Sequence, residues 1–114
     1  MNSRVVIALA AFAASLVLGQ AGALAASAEK GKAAFLQHGC WQCHGYQAQG
    51  GVGPKLAPNP IPFDTLSNFV RTTNRQMPPF SKEILSDEDL ADIYAYLQAI
   101  PKGQDPASIP LLNP

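Results

Sequence analysis

The 114-residue chain has little charge, and its only two cysteines are Cys40 and Cys43. Eight Lys and Arg residues balance eight Asp and Glu residues, so no basic excess is available to bind nucleic acid or an anionic lipid surface. Two cysteines cannot form the framework of several disulfides that supports many small secreted folds. No segment shows the alternating apolar pattern of a half-buried strand, which argues against a fold containing a sheet.

The longest apolar run lies at the N-terminus and is too short to cross a membrane. Residues 5–18 are apolar apart from one serine, and about 14 residues fall short of the ~20 that a spanning helix needs. Small-residue triplets at 23–25 and 26–28 both fit a cleavage pattern. We therefore expect residues 1–25 to be a cleaved secretory signal peptide. This predicts export to the bacterial periplasm and no stable membrane insertion of the mature chain.

Both cysteines belong to the pentapeptide Cys40-Trp41-Gln42-Cys43-His44, a C-x-x-C-H signature for attachment of a c-type haem. On one helical turn, positions i and i+3 share a face, so both thiols can reach the vinyl edge of one porphyrin. His44 then lies beneath the ring, where its imidazole can ligate the iron. The motif predicts one covalent haem c with His44 as an axial ligand.

Met77 is the candidate for the second axial ligand. It is the only methionine after the predicted signal peptide, and it precedes two prolines 33 residues beyond His44. A thioether is a soft, neutral ligand that raises the reduction potential of haem iron, and the prolines restrict the backbone that presents it. His38 lies only two residues before Cys40, too close to the proximal side to reach the opposite face, and is expected to be a surface or supporting residue.

Apolar periodicity and cap residues predict three main helices. The first follows the cap Ser27 and runs from 28 to about 38, and the last follows the cap Ser86 and stops at Pro101. The second begins after Asp64, where apolar residues share one face, and fades at about 74. Glycine and proline dominate the loop at 45–62 and the tail from about residue 101. The predicted fold is all-α, a small domain at 26–114 in which three helices and long loops wrap around one haem.

Together these motifs make the chain similar to the class I c-type cytochromes over nearly the whole mature domain. Besides the haem motif, the resemblance is carried by Gly31-x-x-x-Phe35, Gly53-Pro54-x-Leu56, Met77-Pro78 and Ala95-Tyr96-Leu97. It implies that the first and last helices cross with Gly31 against Tyr96. It also implies that the Pro54 carbonyl accepts a hydrogen bond from His44, and that Leu56 packs on the haem face.

Four further residues have open roles. Lys55, Arg71 and Arg75 are candidates for the haem propionates by charge alone. Trp41, inside the C-x-x-C, is expected near the exposed haem edge, either as a docking contact or as a cover for the porphyrin.

The sequence favours a one-electron carrier rather than an enzyme. With both axial positions filled no substrate binds the iron, and no catalytic acid, base or nucleophile is evident. The carrier either diffuses between a quinol-oxidising complex and a terminal oxidase or reductase, or is the haem subunit of a periplasmic dehydrogenase or respiratory complex. An alternative is a gas sensor or haem enzyme whose sixth iron position is open. A remote alternative is a thiol–disulfide oxidoreductase using Cys40 and Cys43.

Overall fold

The computed structural model describes residues 25–113, and these residues form four α-helices and two short 3-10 helices. The α-helices are α1 (Ala28–Gln37), α2 (Cys40–His44), α3 (Phe63–Thr72) and α4 (Asp87–Ala99), and the 3-10 helices are Pro106–Ser108 and Pro110–Leu112. No strand occurs among the described residues, and the predicted all-α fold is confirmed. The predicted signal peptide lies outside them except for its last residue. None of the helices described is long and apolar enough to cross a membrane.

Helix α1 begins where its cap residue predicts. The Ser27 hydroxyl accepts a hydrogen bond from the Lys30 N–H at 3.3 Å, which satisfies one of the unpaired donors of the first turn. After α1, Gly39 takes a left-handed conformation with φ 75°, which a residue with a side chain adopts only at a cost. This turn lets α2 begin directly at Cys40, so the haem motif forms a helix of its own.

The other two long helices have different starts. In α4 the Ser86 hydroxyl accepts from the Asp89 N–H at 3.0 Å, as the cap pattern predicts. Helix α3 begins at Phe63, two residues before the predicted start, because the Pro62 carbonyl already accepts from the Leu66 N–H at 3.0 Å. Its start therefore uses no capping side chain.

Helices α1 and α4 cross at Gly31, and the contact is between backbones. A methyl group at Gly31 would overlap the backbone carbonyl of Asp92 and crowd the Ile93 nitrogen. The atoms nearest to such a methyl group belong to Asp92 and Ile93, and the expected contact of Gly31 with Tyr96 stays a prediction. Tyr96 lies one helical turn further along α4 and packs on Phe35, with ring centroids 5.6 Å apart.

The hydrophobic core fills the space between α1, α3 and α4. Its buried members are Ala34, Phe35, Ala48, Ala57, Leu66, Val70, Leu85, Leu90, Ile93, Tyr96 and Leu97. Asp92 is buried among them, and its carboxylate accepts a hydrogen bond from the Ser27 backbone N–H at 2.6 Å. This bond ties the start of α1 to the middle of α4, and it supplies the partner that a buried carboxylate requires.

Candidate haem-binding site

Helix α2 carries both thiols and the imidazole of the candidate site. Cys40 is half-buried and Cys43 is exposed, and their spacing puts them on one side of the helix. His44 is the last residue of α2 and is only 8% exposed. The site therefore has one thiol at the surface and its imidazole inside the domain.

A single hydrogen bond sets the orientation and tautomer of the His44 ring. Its Nδ1 lies 2.8 Å from the backbone carbonyl oxygen of Pro54. Because a carbonyl can only accept, Nδ1 carries the proton and donates it, and the lone pair of the neutral ring is at Nε2. This is the hydrogen bond that the family resemblance implied. It prepares Nε2 as a metal ligand, in the way that a hydrogen bond to the other ring nitrogen generally does.

The glycine-rich loop after α2 brings the Pro54 carbonyl to the ring. A methyl group at Gly53 would lie 2.8 Å from Cε1 and 2.9 Å from Nδ1 of His44. The Gly53 N–H donates to the Cys43 carbonyl at 2.9 Å, and the Gly50 N–H donates to the His44 carbonyl at 2.8 Å. The loop is therefore fixed to α2 by main-chain bonds, and only a residue without a side chain fits at position 53.

Half-buried apolar side chains surround the core and leave apolar surface for a further group. They are Cys40, Trp41, Leu56, Phe63, Met77, Phe80, Tyr94 and Ile100. Leu56 and Met77, both predicted at the haem face, belong to this set. The two thiols and the imidazole of α2, with its lone pair at Nε2, and the apolar side chains left partly exposed fit a covalently attached haem. Met77 contributes a half-buried thioether to the same core.

The three cations considered for the haem propionates differ in their surroundings. Arg71 has a mostly buried side chain, 14% exposed, and its guanidinium donates to backbone carbonyls and to the Asp87 carboxylate. Lys55 and Arg75 are exposed. The charge of Arg71 suggested that it binds a haem propionate. In the structure its guanidinium instead donates hydrogen bonds to backbone carbonyls of the protein.

Trp41 forms a stacked pair that the sequence analysis missed. Its ring lies 4.4 Å from that of Tyr46, with 17° between the planes, and Tyr46 is 60% exposed. The Tyr96 hydroxyl donates to the Tyr46 carbonyl at 3.0 Å, which ties the pair to α4. The only local signal for this pair was an aromatic residue two positions after the haem motif.

His38 faces α4. Its Nε2 lies 3.9 Å from a carboxylate oxygen of Asp89, and its ring meets Phe80 edge-on at 6.4 Å between centroids. The side chains beside His38 are thus the Asp89 carboxylate and the Phe80 ring.

Comparison with protein families identifies the domain. Residues 26–97 match the family model described as cytochrome c oxidase, cbb3-type, subunit III. The match covers more than half of the chain, so the chain belongs to this family of c-type cytochrome domains. The resemblance to class I c-type cytochromes is thereby confirmed, as is covalent haem c as the cofactor. Comparisons with curated proteins and with solved structures gave no match.

Proposed function

We propose that this cytochrome c domain is an exported one-electron carrier whose haem is attached through Cys40 and Cys43 and ligated by His44 and Met77. The observation that carries the proposal is the 2.8 Å hydrogen bond from His44 Nδ1 to the Pro54 carbonyl. It leaves Nε2 of a buried ring as the metal-binding atom, on the same short helix as both thiols. The haem supplies an iron that alternates between the ferric and ferrous states.

The contribution of His44 is a fixed imidazole. Its donation to Pro54 makes the ring more electron-rich and fixes its plane. Gly53 lies so close to the ring that even a methyl group there would be 2.8 Å from Cε1 of His44. A ligand held this rigidly changes little between oxidation states, which suits electron transfer.

Met77 would supply a neutral sulfur as the second ligand of the iron. A thioether stabilises ferrous over ferric iron, so Met/His ligation gives a higher potential than two imidazoles would. Met77 is half-buried against the core, and its side chain at the iron would keep water and small ligands away. This arrangement fits a carrier and leaves no position for a substrate.

Redox proteins are the proposed partners, on the periplasmic side of the membrane after removal of residues 1–25. A dehydrogenase, a quinol-oxidising complex and a terminal oxidase or reductase are all compatible with the chemistry. Segment 33–54, which contains the haem motif, has no Lys, Arg, Asp or Glu, while Tyr46 is 60% and Val52 88% exposed. An uncharged contact of this kind favours a docked subunit over a diffusing carrier that is steered by charge.

A thiol–disulfide oxidoreductase is disfavoured by the environment of Cys40. Burial raises the pKa of the Cys40 thiol, whereas redox-active cysteines carry a lowered pKa that supplies the reactive thiolate. The sensor alternative depends instead on whether Met77 occupies the iron.

Optical spectra of the haem-loaded protein test the proposal. Sulfur–iron ligation gives ferric haem a weak absorption band in the red, and we expect this band in the wild type. Met77→Ala should lose it while the haem stays covalently attached. Attached haem without the band in the wild type would reject His/Met ligation and favour a sensor or enzyme.

A further inference from the structure

Arg71, in the last turn of α3, organises the segment that follows Met77. Its Nη1 donates to the carbonyl oxygens of Phe80 at 3.0 Å, Ser81 at 3.2 Å and Leu85 at 2.6 Å. Three carbonyls of one short segment thus share the two N–H groups of a single guanidinium nitrogen. The segment contains no helix or strand, and this cation adds to a turn in which the Leu85 N–H donates to the Ser81 carbonyl at 2.9 Å.

The same side chain fixes the segment to both neighbouring helices. Arg71 Nη2 donates to Asp87 Oδ1 at 2.9 Å, at the first residue of α4, and Asp87 also accepts from Lys82 Nζ at 2.7 Å. Beside Arg71 in α3, the Val70 carbonyl accepts from the Phe80 N–H at 2.9 Å. Phe80 is therefore held through both its N–H and its carbonyl.

Met77 is coupled to this fixed point through two prolines. Only Pro78 and Pro79 separate it from Phe80. Proline fixes its own φ and restricts the preceding residue to extended conformations, so few backbone torsions are free between Met77 and Phe80. On the other side of Met77, residues 74–76 are all exposed. There the Arg75 N–H donates to the hydroxyl of buried Thr73 at 3.4 Å, and the position of Met77 therefore depends in part on where Phe80 is held.

We infer that Arg71 is a positioning residue for the sixth iron ligand: by holding Phe80, Ser81 and Leu85 it keeps the Met77 sulfur at the iron. This inference rests on the proposed ligation by Met77. Arginine suits the role because its planar guanidinium directs several N–H donors at once and stays charged at every physiological pH. A lysine would keep the charge, but it has one nitrogen and cannot join the three carbonyls to Asp87.

Imidazole added to the haem-loaded protein competes with the Met77 sulfur for the iron, so its affinity measures how firmly the sulfur is held there. We would titrate the ferric wild type, Arg71→Met, Arg71→Lys and the control Lys82→Met with imidazole, and record the red ferric band and the midpoint potential. Lys82 is the control because its Nζ donates to the same Asp87 carboxylate, at 2.7 Å, and not to the carbonyls that Arg71 holds. Arg71→Met should bind imidazole about tenfold more tightly, with a weaker band and a lower potential. Arg71→Lys should show a smaller increase, and Lys82→Met should stay within about twofold of the wild type.

Two results would overturn the inference, and they are distinguishable. If the wild type has the sulfur–iron band and Met77→Ala loses it, but Arg71→Met and Arg71→Lys bind imidazole no better than Lys82→Met, ligation stands and the role of Arg71 is rejected. If the wild type itself lacks the band, the proposed ligation fails and the inference fails with it. If Arg71→Met does not fold around haem, Arg71→Lys is compared with the wild type instead. Equal imidazole affinity would reject the positioning role of Arg71, and tighter imidazole binding by Arg71→Lys would support it.

Discussion

The two sides of the candidate haem site are held by different means. On the side of His44, a glycine-rich loop is fixed to α2 by main-chain hydrogen bonds, and these place the Pro54 carbonyl at the imidazole. On the side of Met77, the Arg71 guanidinium binds three carbonyls of the following segment, beside a main-chain bond from the Phe80 N–H to the Val70 carbonyl. Most substitutions leave main-chain hydrogen bonds in place unless they add a side chain where none fits. A segment that depends in part on one side chain can be loosened by one substitution.

This difference predicts two kinds of mutational effect. Changes on the His44 side should act on folding and haem attachment, because they disturb packed backbone. Changes on the Met77 side should leave the fold intact and alter the sixth ligand. The following predictions test that division, beginning with the largest expected effect.

Gly31→Val should be the most damaging substitution. The new side chain would overlap the Asp92 carbonyl at the α1–α4 crossing, so two packed helices must separate, at a cost of ~2–4 kcal/mol of unfolding free energy. Chemical unfolding of the haem-loaded protein measures this cost. Gly103→Ala is the control, because nothing lies within 4 Å of a methyl group there. Equal stabilities of the two variants would contradict the close crossing.

Gly53→Ala should disturb both the packing of the loop on α2 and the imidazole. The methyl group would lie 2.8 Å from Cε1 of His44, so the ring or the Pro54 carbonyl must shift, at ~1–3 kcal/mol. We expect lower stability and a changed midpoint potential, both measured on the haem-loaded protein. An unchanged potential would mean that the His44–Pro54 bond does not tune the iron.

Caps and spacing made much of this fold predictable, because those signals are local. Ser27 and Ser86 mark helix starts through hydrogen bonds to residues three positions away. The close approach of Gly31 to the Asp92 carbonyl was not predicted, because it depends on which turn of α4 crosses α1. The role of Arg71 was likewise hidden, since its charge suggests an anionic ligand and nothing local identifies carbonyls 9 to 14 residues ahead as its partners.

Tyr96→Phe tests the connection between the haem motif and α4. It removes the donation to the Tyr46 carbonyl at 3.0 Å while keeping the ring that packs on Phe35. A loss of about 1 kcal/mol is expected from thermal or chemical unfolding. A larger loss, near that of Gly31→Val, would show that the hydrogen bond contributes about as much as the helix crossing.

Acid should weaken the Met77 side slightly through Asp87. Donation from Lys82 and then from Arg71 lowers the pKa of the Asp87 carboxyl below its ordinary value of 3.8. A lowered pKa in the folded state gives stability above the unfolded pKa and loses it as the pH falls through the folded one. Wild type should therefore exceed Asp87→Asn in stability at pH 6, with the gap closing below about pH 4. A gap that persists or widens in acid would contradict this assignment.

Carbon monoxide binding to the ferrous, haem-loaded protein at neutral pH tests the central claim most directly. A carrier with His44 and Met77 on the iron has no open position, so the wild type should bind no carbon monoxide at concentrations that saturate Met77→Ala. Equal binding by both proteins, each with its haem still covalently attached, would show that the sixth position is open. That result would contradict the electron-carrier account.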